Sequence, residues 1–227
     1  MQPSPLSSVQ ATVSTRTAQP HNMQPSLPGA WQRWTVRQQV RWWSLLGQPG
    51  RITSVFELAV GRWPAWSDGV EGLAFALAQT RQPAKAIALL HGLVLREPLR
   101  AQAWFNLGFL LQQSAASGGS ANAGAITAEL ALQQASQLDP RHDRAWYGLA
   151  LELIAQRRLA EAVPCLKSCT QIQPMSPYAW YQLGRVHHEL GNAREARLVL
   201  DHLKMFDPKV SGQLQREINA APATKTQ

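Results

Sequence analysis

Apolar residues recur along this chain at helical spacing, and the spacing returns unit after unit. Trp146 is followed by Leu149, Ala150 and Leu153, then by Ala162, Leu166 and Cys169, and the unit closes at Pro174. Trp180 is followed at the same offsets by Leu183, Gly184, His187, Ala196, Leu200, Leu203 and Pro208, each 34 residues on. Steps of three and four residues put the first apolar set on one side of a helix. After a polar break, the second set does the same for a second helix. The closing proline cannot continue a helix and biases the residue before it away from helical torsions. Each unit therefore reads as a helical hairpin.

The pattern extends towards the N-terminus. Val70 leads Leu73, Ala74, Leu77, Ala86, Leu90, Leu93 and Pro98 with identical offsets. Trp104 leads Leu107, Gly108 and Leu111, and eight extra residues then precede Ala128, Leu132, Ala135 and Pro140. The extra residues fall within 114–125, rich in Gly, Ser and Ala, and are expected to form a mobile surface loop. A fainter unit keeps Val36, Val40, Trp43, Ile52, Phe56, Ala59 and Pro64 in register but has Gln39 where Leu is expected. The small residues Ala74, Gly108, Ala150 and Gly184 let a second helix approach closely. Pro164 falls inside a predicted second helix and is expected to bend or weaken it. Residues 211–221, with Leu214 and Ile218 four apart, are expected to form a short covering helix.

These units resemble the tetratricopeptide repeat family over roughly residues 33–210. The resemblance implies an all-α fold, a right-handed solenoid of tetratricopeptide helical hairpins. The expected organisation is a disordered tail over 1–28, a Trp/Arg-rich degenerate first repeat over 29–66, four repeats over 67–210, and a capping helix with a frayed tail over 211–227. The tail contains five Pro, five Ser, three Thr and four Gln in 28 residues, with Arg16 as its one charge, and no continuous apolar stretch of a secretory signal.

The resemblance also implies a concave groove lined by the first helices, at offsets −2, +1, +5 and +8 from each leading residue. Six of the chain's eight Phe and Tyr residues lie at these sixteen positions, where about one at most would fall by chance. They are Phe75, Phe105, Phe109, Tyr147, Tyr178 and Tyr181, and Arg144 and Arg185 stand among them. Aromatic rings give a peptide large apolar area at low entropic cost. The implied partner is a protein or peptide segment that mixes apolar anchors with acidic residues. The Lys/Asn clamp by which some family members hold a C-terminal carboxylate is not reproduced: Asn106 fits it, but Glu71, Phe75 and Gly148 do not.

Composition narrows the functional classes. Hydrophobic residues make up 45% of the 227, enough for a core, and no apolar run reaches the length of a membrane span. Phosphate-binding, dinucleotide-binding, nucleophile-elbow and zinc-protease motifs are all missing, so no catalytic residue, cofactor site or metal site is assigned. Cys165 and Cys169 lie four apart on a helix, which suits small buried hydrophobes in a reducing cytoplasm better than a disulfide framework. His187, on an inner stripe, is expected in the core, and Asp139, His142 and Asp143 are expected to serve a turn.

The formal charge of +8 leaves nucleic acid, an anionic membrane or an acidic protein open as partners. The scattered basic residues make nucleic acid the weakest of these. The one local stripe is Arg33, Arg37 and Arg41, beside Trp31, Trp34, Trp42 and Trp43. Two readings of it stand. It is a capping hairpin with Val36, Val40 and Trp43 turned inward, or it is a binding surface for a membrane interface or a protein. The reading for the chain is a non-catalytic cytoplasmic adaptor, co-chaperone or assembly factor. The alternative is a membrane-peripheral or nucleic-acid-associated factor using the N-terminal Trp/Arg face.

Overall fold

The computed structural model describes residues 27–119 and 122–220, with only the backbone of Asn122. Most of the tail expected over 1–28, and the frayed end expected over 222–227, lie outside the described residues. The helices are α1 (Ala30–Leu45), α2 (Pro49–Arg62), α3 (Ser67–Gln79), α4 (Pro83–Arg96) and α5 (Ala101–Ala116). A two-residue hairpin follows, β1 (Asn122–Ala123) and β2 (Ile126–Thr127). Then come α6 (Ala128–Leu138), α7 (Asp143–Ala155), α8 (Leu159–Ile172), α9 (Pro177–Glu189), α10 (Ala193–Phe206) and α11 (Pro208–Ala220). Each helix packs against its neighbour in sequence, and α3, α5 and α7 also meet in series, which makes an all-α solenoid.

Local chemistry explains the boundaries. Pro49, Pro83 and Pro177 stand in the first turn of their helices, where a missing N–H costs nothing. The turn inside a hairpin takes a left-handed residue eleven positions after the leading residue: Gly47, Arg81, Arg157 and Gly191, with φ of 63°, 59°, 63° and 76°. The turn between hairpins is closed by tryptophan. Trp104 Nε1 donates to the carbonyl of Pro98 at 2.8 Å, Trp146 to Pro140 at 3.0 Å and Trp180 to Pro174 at 2.7 Å. Asp139 and His142 serve their turn as expected: Asp139 accepts from the Arg141 N–H, and His142 Nδ1 accepts from the Ala145 N–H at the start of α7.

In the four units led by Val70, Trp104, Trp146 and Trp180 the inner stripes are buried, including Leu107, Leu111, Leu132, Leu166 and Leu203, except that the leading Trp146 and Trp180 are half-buried. His187 is among them, and burial lowers its pKa. The helix α8 runs unbroken through Pro164. The N-terminal unit is different. Only Val36 and Ala59 of its stripe are buried, in a small cluster with Trp66, and half-buried Phe56 links that cluster to the main core.

Two boundaries differ from the sequence expectation. The expected loop begins as helix, because α5 continues to Ala116 over residues that tolerate helix well. It ends where Gly118 turns left-handed and the Gly119 N–H caps the Ser114 carbonyl at 2.7 Å. The later part is the hairpin, held down by buried Ile126. The final helix starts at Pro208 rather than 211. Proline is at home in a first turn, and α10 and α11 join without the longer turn that separates other hairpins.

Candidate protein-binding groove

The first helices of the four regular units, α3, α5, α7 and α9, carry the sixteen groove positions. Between α3 and α5 lies a cavity of about 380 Å³. Ala74, Ala78, Leu90 and Leu110 line it with apolar surface, and Glu71, Gln79, Asn106 and Gln113 add polar groups. Phe75 and Phe109 also line it, and they are 68% and 44% exposed, high values for phenylalanine. Alanine at 74 and 78 makes the hollow possible, because a longer side chain there would fill it.

Phe105 departs from the groove expectation. It is 8% exposed, stacked on Phe109 with centroids 6.0 Å apart and packed on the His142 ring at 4.6 Å. The Arg144 guanidinium lies 5.3 Å over its ring. The ring is therefore a seat for Arg144, not a free surface. Arg144 itself is exposed and has no ion pair among the described residues.

Further along, the surface becomes polar. Tyr147 is half-buried, and burial, more than its hydrogen bond with Gln182, sets the upward direction of its pKa. Tyr178 is exposed. The Tyr181 hydroxyl donates to Glu217 Oε1 at 2.5 Å and accepts from Gln213 Nε2 at 3.1 Å. Arg185 reaches Glu217 at 3.5 Å and Glu189 at 3.6 Å. Helix α11 thus supplies an acidic partner to the two C-terminal residues expected to meet a ligand. The Tyr181 bond holds the Glu217 carboxyl below the usual carboxylate range.

Two residues outside the sixteen positions matter here. Arg100, in the turn before α5, pairs with Glu71 at 2.8 Å and with Asp68, so both groove carboxylates are tied down. Those partners, Glu71 foremost, keep Arg100 more firmly protonated. Glu217 is the second. The available signal was opposite charge on neighbouring units, about one repeat apart.

The thiols offer no chemistry. Burial pushes Cys169 up to about 12 and Cys165 upward, and their S–H groups meet the carbonyls of Asp143 and Glu161. Among the described residues no group of His, Cys, Asp and Glu side chains could hold a metal, and no helix is long and apolar enough to cross a membrane.

Two sequence models described as tetratricopeptide repeat match residues 127–168 and 153–216. No curated protein matches the chain. Among solved structures the fold is similar to YrrB, described as a tetratricopeptide protein with an unusual peptide-binding site, at 17% identity and a TM-score of 0.59; the match covers 78% of this chain and 88% of that one. It is similar to MamA at 16% identity and TM-score 0.61, covering 80% and 97%. It is also similar to PilF of Pseudomonas aeruginosa at 16% identity and TM-score 0.63, covering 83% and 90%.

Proposed function

Because the chain belongs to the tetratricopeptide repeat family, whose fold points to a protein-interaction scaffold, we propose that it is a non-catalytic adaptor, co-chaperone or assembly factor that holds a protein segment in the groove of α3–α9. The observation that carries this reading is the apolar hollow between α3 and α5 with Phe75 and Phe109 exposed beside it. A hollow of this size takes one large apolar side chain, and the two rings add contact area around it. Gln79, Asn106 and Gln113 line the hollow with hydrogen-bonding groups for an extended backbone, while Glu71 is held by Arg100. Arg144 is the cation placed to meet an acidic residue of the segment, whereas Arg185 is already satisfied by Glu217 and Glu189. The anchor is therefore in the N-terminal half of the groove, with Tyr147 and Tyr178 extending the contact. Buried reduced thiols suit a cytoplasmic location.

The test is selection of peptides from a display library on the full chain, followed by binding of a labelled selected peptide to variants. Phe75→Ala and Phe109→Ala should each weaken binding at least about tenfold, since truncating a central aromatic commonly removes more than 1.4 kcal/mol. Both side chains are substantially exposed, so the melting temperature should move little. Arg144→Glu should weaken binding most at low salt. Selected peptides that bind both Phe variants unchanged would remove the groove as the site.

A further inference from the structure

Helix α1 has two apolar sides, and only one is covered. Val36 is buried and Val40 half-buried in the cluster formed with α2, and half-buried Trp43 lies under the Arg51 guanidinium of α2. On the opposite side Trp31, Trp34 and Trp42 are 70%, 49% and 61% exposed, and Leu45 is exposed with them. At 100° per residue these four fall within an arc of about 80°. Trp31 and Trp34 stack face to face, 4.8 Å between centroids, making one continuous apolar block. Leu27 and Leu46, just before and just after the helix, are exposed too. The other six tryptophans are buried or half-buried, so this exposure is particular to α1.

The same helix carries the charge asymmetry of the molecule. Arg41, Arg37 and Arg33 run along one flank of the stripe at steps of four, with Arg41 next to Trp34 in projection. None has an ion pair among the described residues. The first 56 residues hold five arginines and no Asp or Glu, and so carry five of the eight units of net positive charge.

We propose that the outer face of α1 docks on the surface of an anionic phospholipid bilayer. Tryptophan favours the boundary between headgroups and acyl chains, where its ring is apolar and its N–H is wet. Arginines on the flank meet lipid phosphates. Leu27, Leu45 and Leu46 fit the apolar side of that boundary. A second copy of this face fits less well, because it would bring another arginine row and no carboxylate to neutralise it. Single-stranded nucleic acid also fits less well. Bases would stack on the rings, but Trp31 and Trp34 already cover each other and the leucines have no role in stacking.

The experiment is co-sedimentation of the full chain with vesicles of phosphatidylcholine, with and without phosphatidylglycerol. Binding is expected to need phosphatidylglycerol and to fall as salt rises. The variant Trp31→Ser/Trp34→Ser/Trp42→Ser should lower the partition coefficient at least about tenfold. Arg33→Gln/Arg37→Gln/Arg41→Gln should do likewise at low salt and flatten the salt dependence. In the unmodified protein, lipids brominated on their acyl chains should quench part of the tryptophan emission, which tests the contact without any substitution. Failure to bind phosphatidylglycerol vesicles at low salt overturns the proposal, as does binding indifferent to both variants. A tryptophan-dependent dimer in sedimentation equilibrium overturns it in favour of a second copy. Tighter binding to a single-stranded oligonucleotide than to vesicles overturns it in favour of nucleic acid.

Discussion

The regular repeats and the N-terminal hairpin put tryptophan to opposite uses. In α5, α7 and α9 the leading tryptophan lies against the turn behind it, and its N–H reaches a carbonyl six residues back. The proline that ends one hairpin is thereby joined to the helix that opens the next, which gives the Trp–Pro co-occurrence a physical cause. In α1 the leading position holds Val36, with exposed Gln39 after it, and three of its four tryptophans, Trp31, Trp34 and Trp42, lie on the other side of the helix. The residue type alone does not assign the role. The offset from the preceding turn does.

That contrast breaks most visibly under truncation. Trp104→Ala removes a buried ring and its hydrogen bond to Pro98, and should cost about 3–5 kcal/mol of stability. Trp34→Ala should change stability by under ~0.5 kcal/mol, since its ring stacks on exposed Trp31 and about half of the residue faces solvent. Chemical denaturation of the two variants side by side checks this. Comparable losses would mean that α1 belongs to the core after all. A smaller effect isolates the hydrogen bond: Trp180→Phe keeps most of the ring area against His202 and removes only the donor. It should cost about 1 kcal/mol, and a neutral result would show that packing alone closes the turn.

The hairpins were legible in the chain because the signal is local and repeated. Steps of three and four name the buried face, and proline marks the end. The extension of α5 to Ala116 was less legible, since Gly, Ser and Ala together suggest loop while Ala and Gln permit helix. In the groove, an offset names a side of a helix but not what already occupies that side. Phe105 and Phe109 both lie at groove offsets, four apart, yet Arg144 covers one and solvent reaches the other. Arg185 and Tyr181 read as ligand contacts until Glu217 is brought to them by a helix that follows a shortened turn. Such pairings join positions that are not equivalent between units, so a repeat alignment does not reveal them.

At the turn within each hairpin the comparison reverses, and here the N-terminal unit has the better chemistry. Gly47 takes φ of 63° between α1 and α2, where glycine meets no steric penalty. Arg81 takes φ of 59° at the same offset between α3 and α4, and an L-residue with a Cβ pays roughly 1–2 kcal/mol there. Arg81→Gly relieves that strain but gives the unfolded chain more freedom, an opposing contribution of roughly 0.4–1 kcal/mol. The exposed Arg81 side chain makes no ion pair among the described residues, so nothing else of consequence is lost. The net expectation is a gain of about 0.5 kcal/mol, read as a small rise in the denaturation midpoint. Arg157→Gly should gain less, because it also gives up the 3.0 Å contact with Glu189, although that pair is largely solvated. A loss of stability in Arg81→Gly would mean that the arginine stem packs on the turn and that the residue is held there by contact.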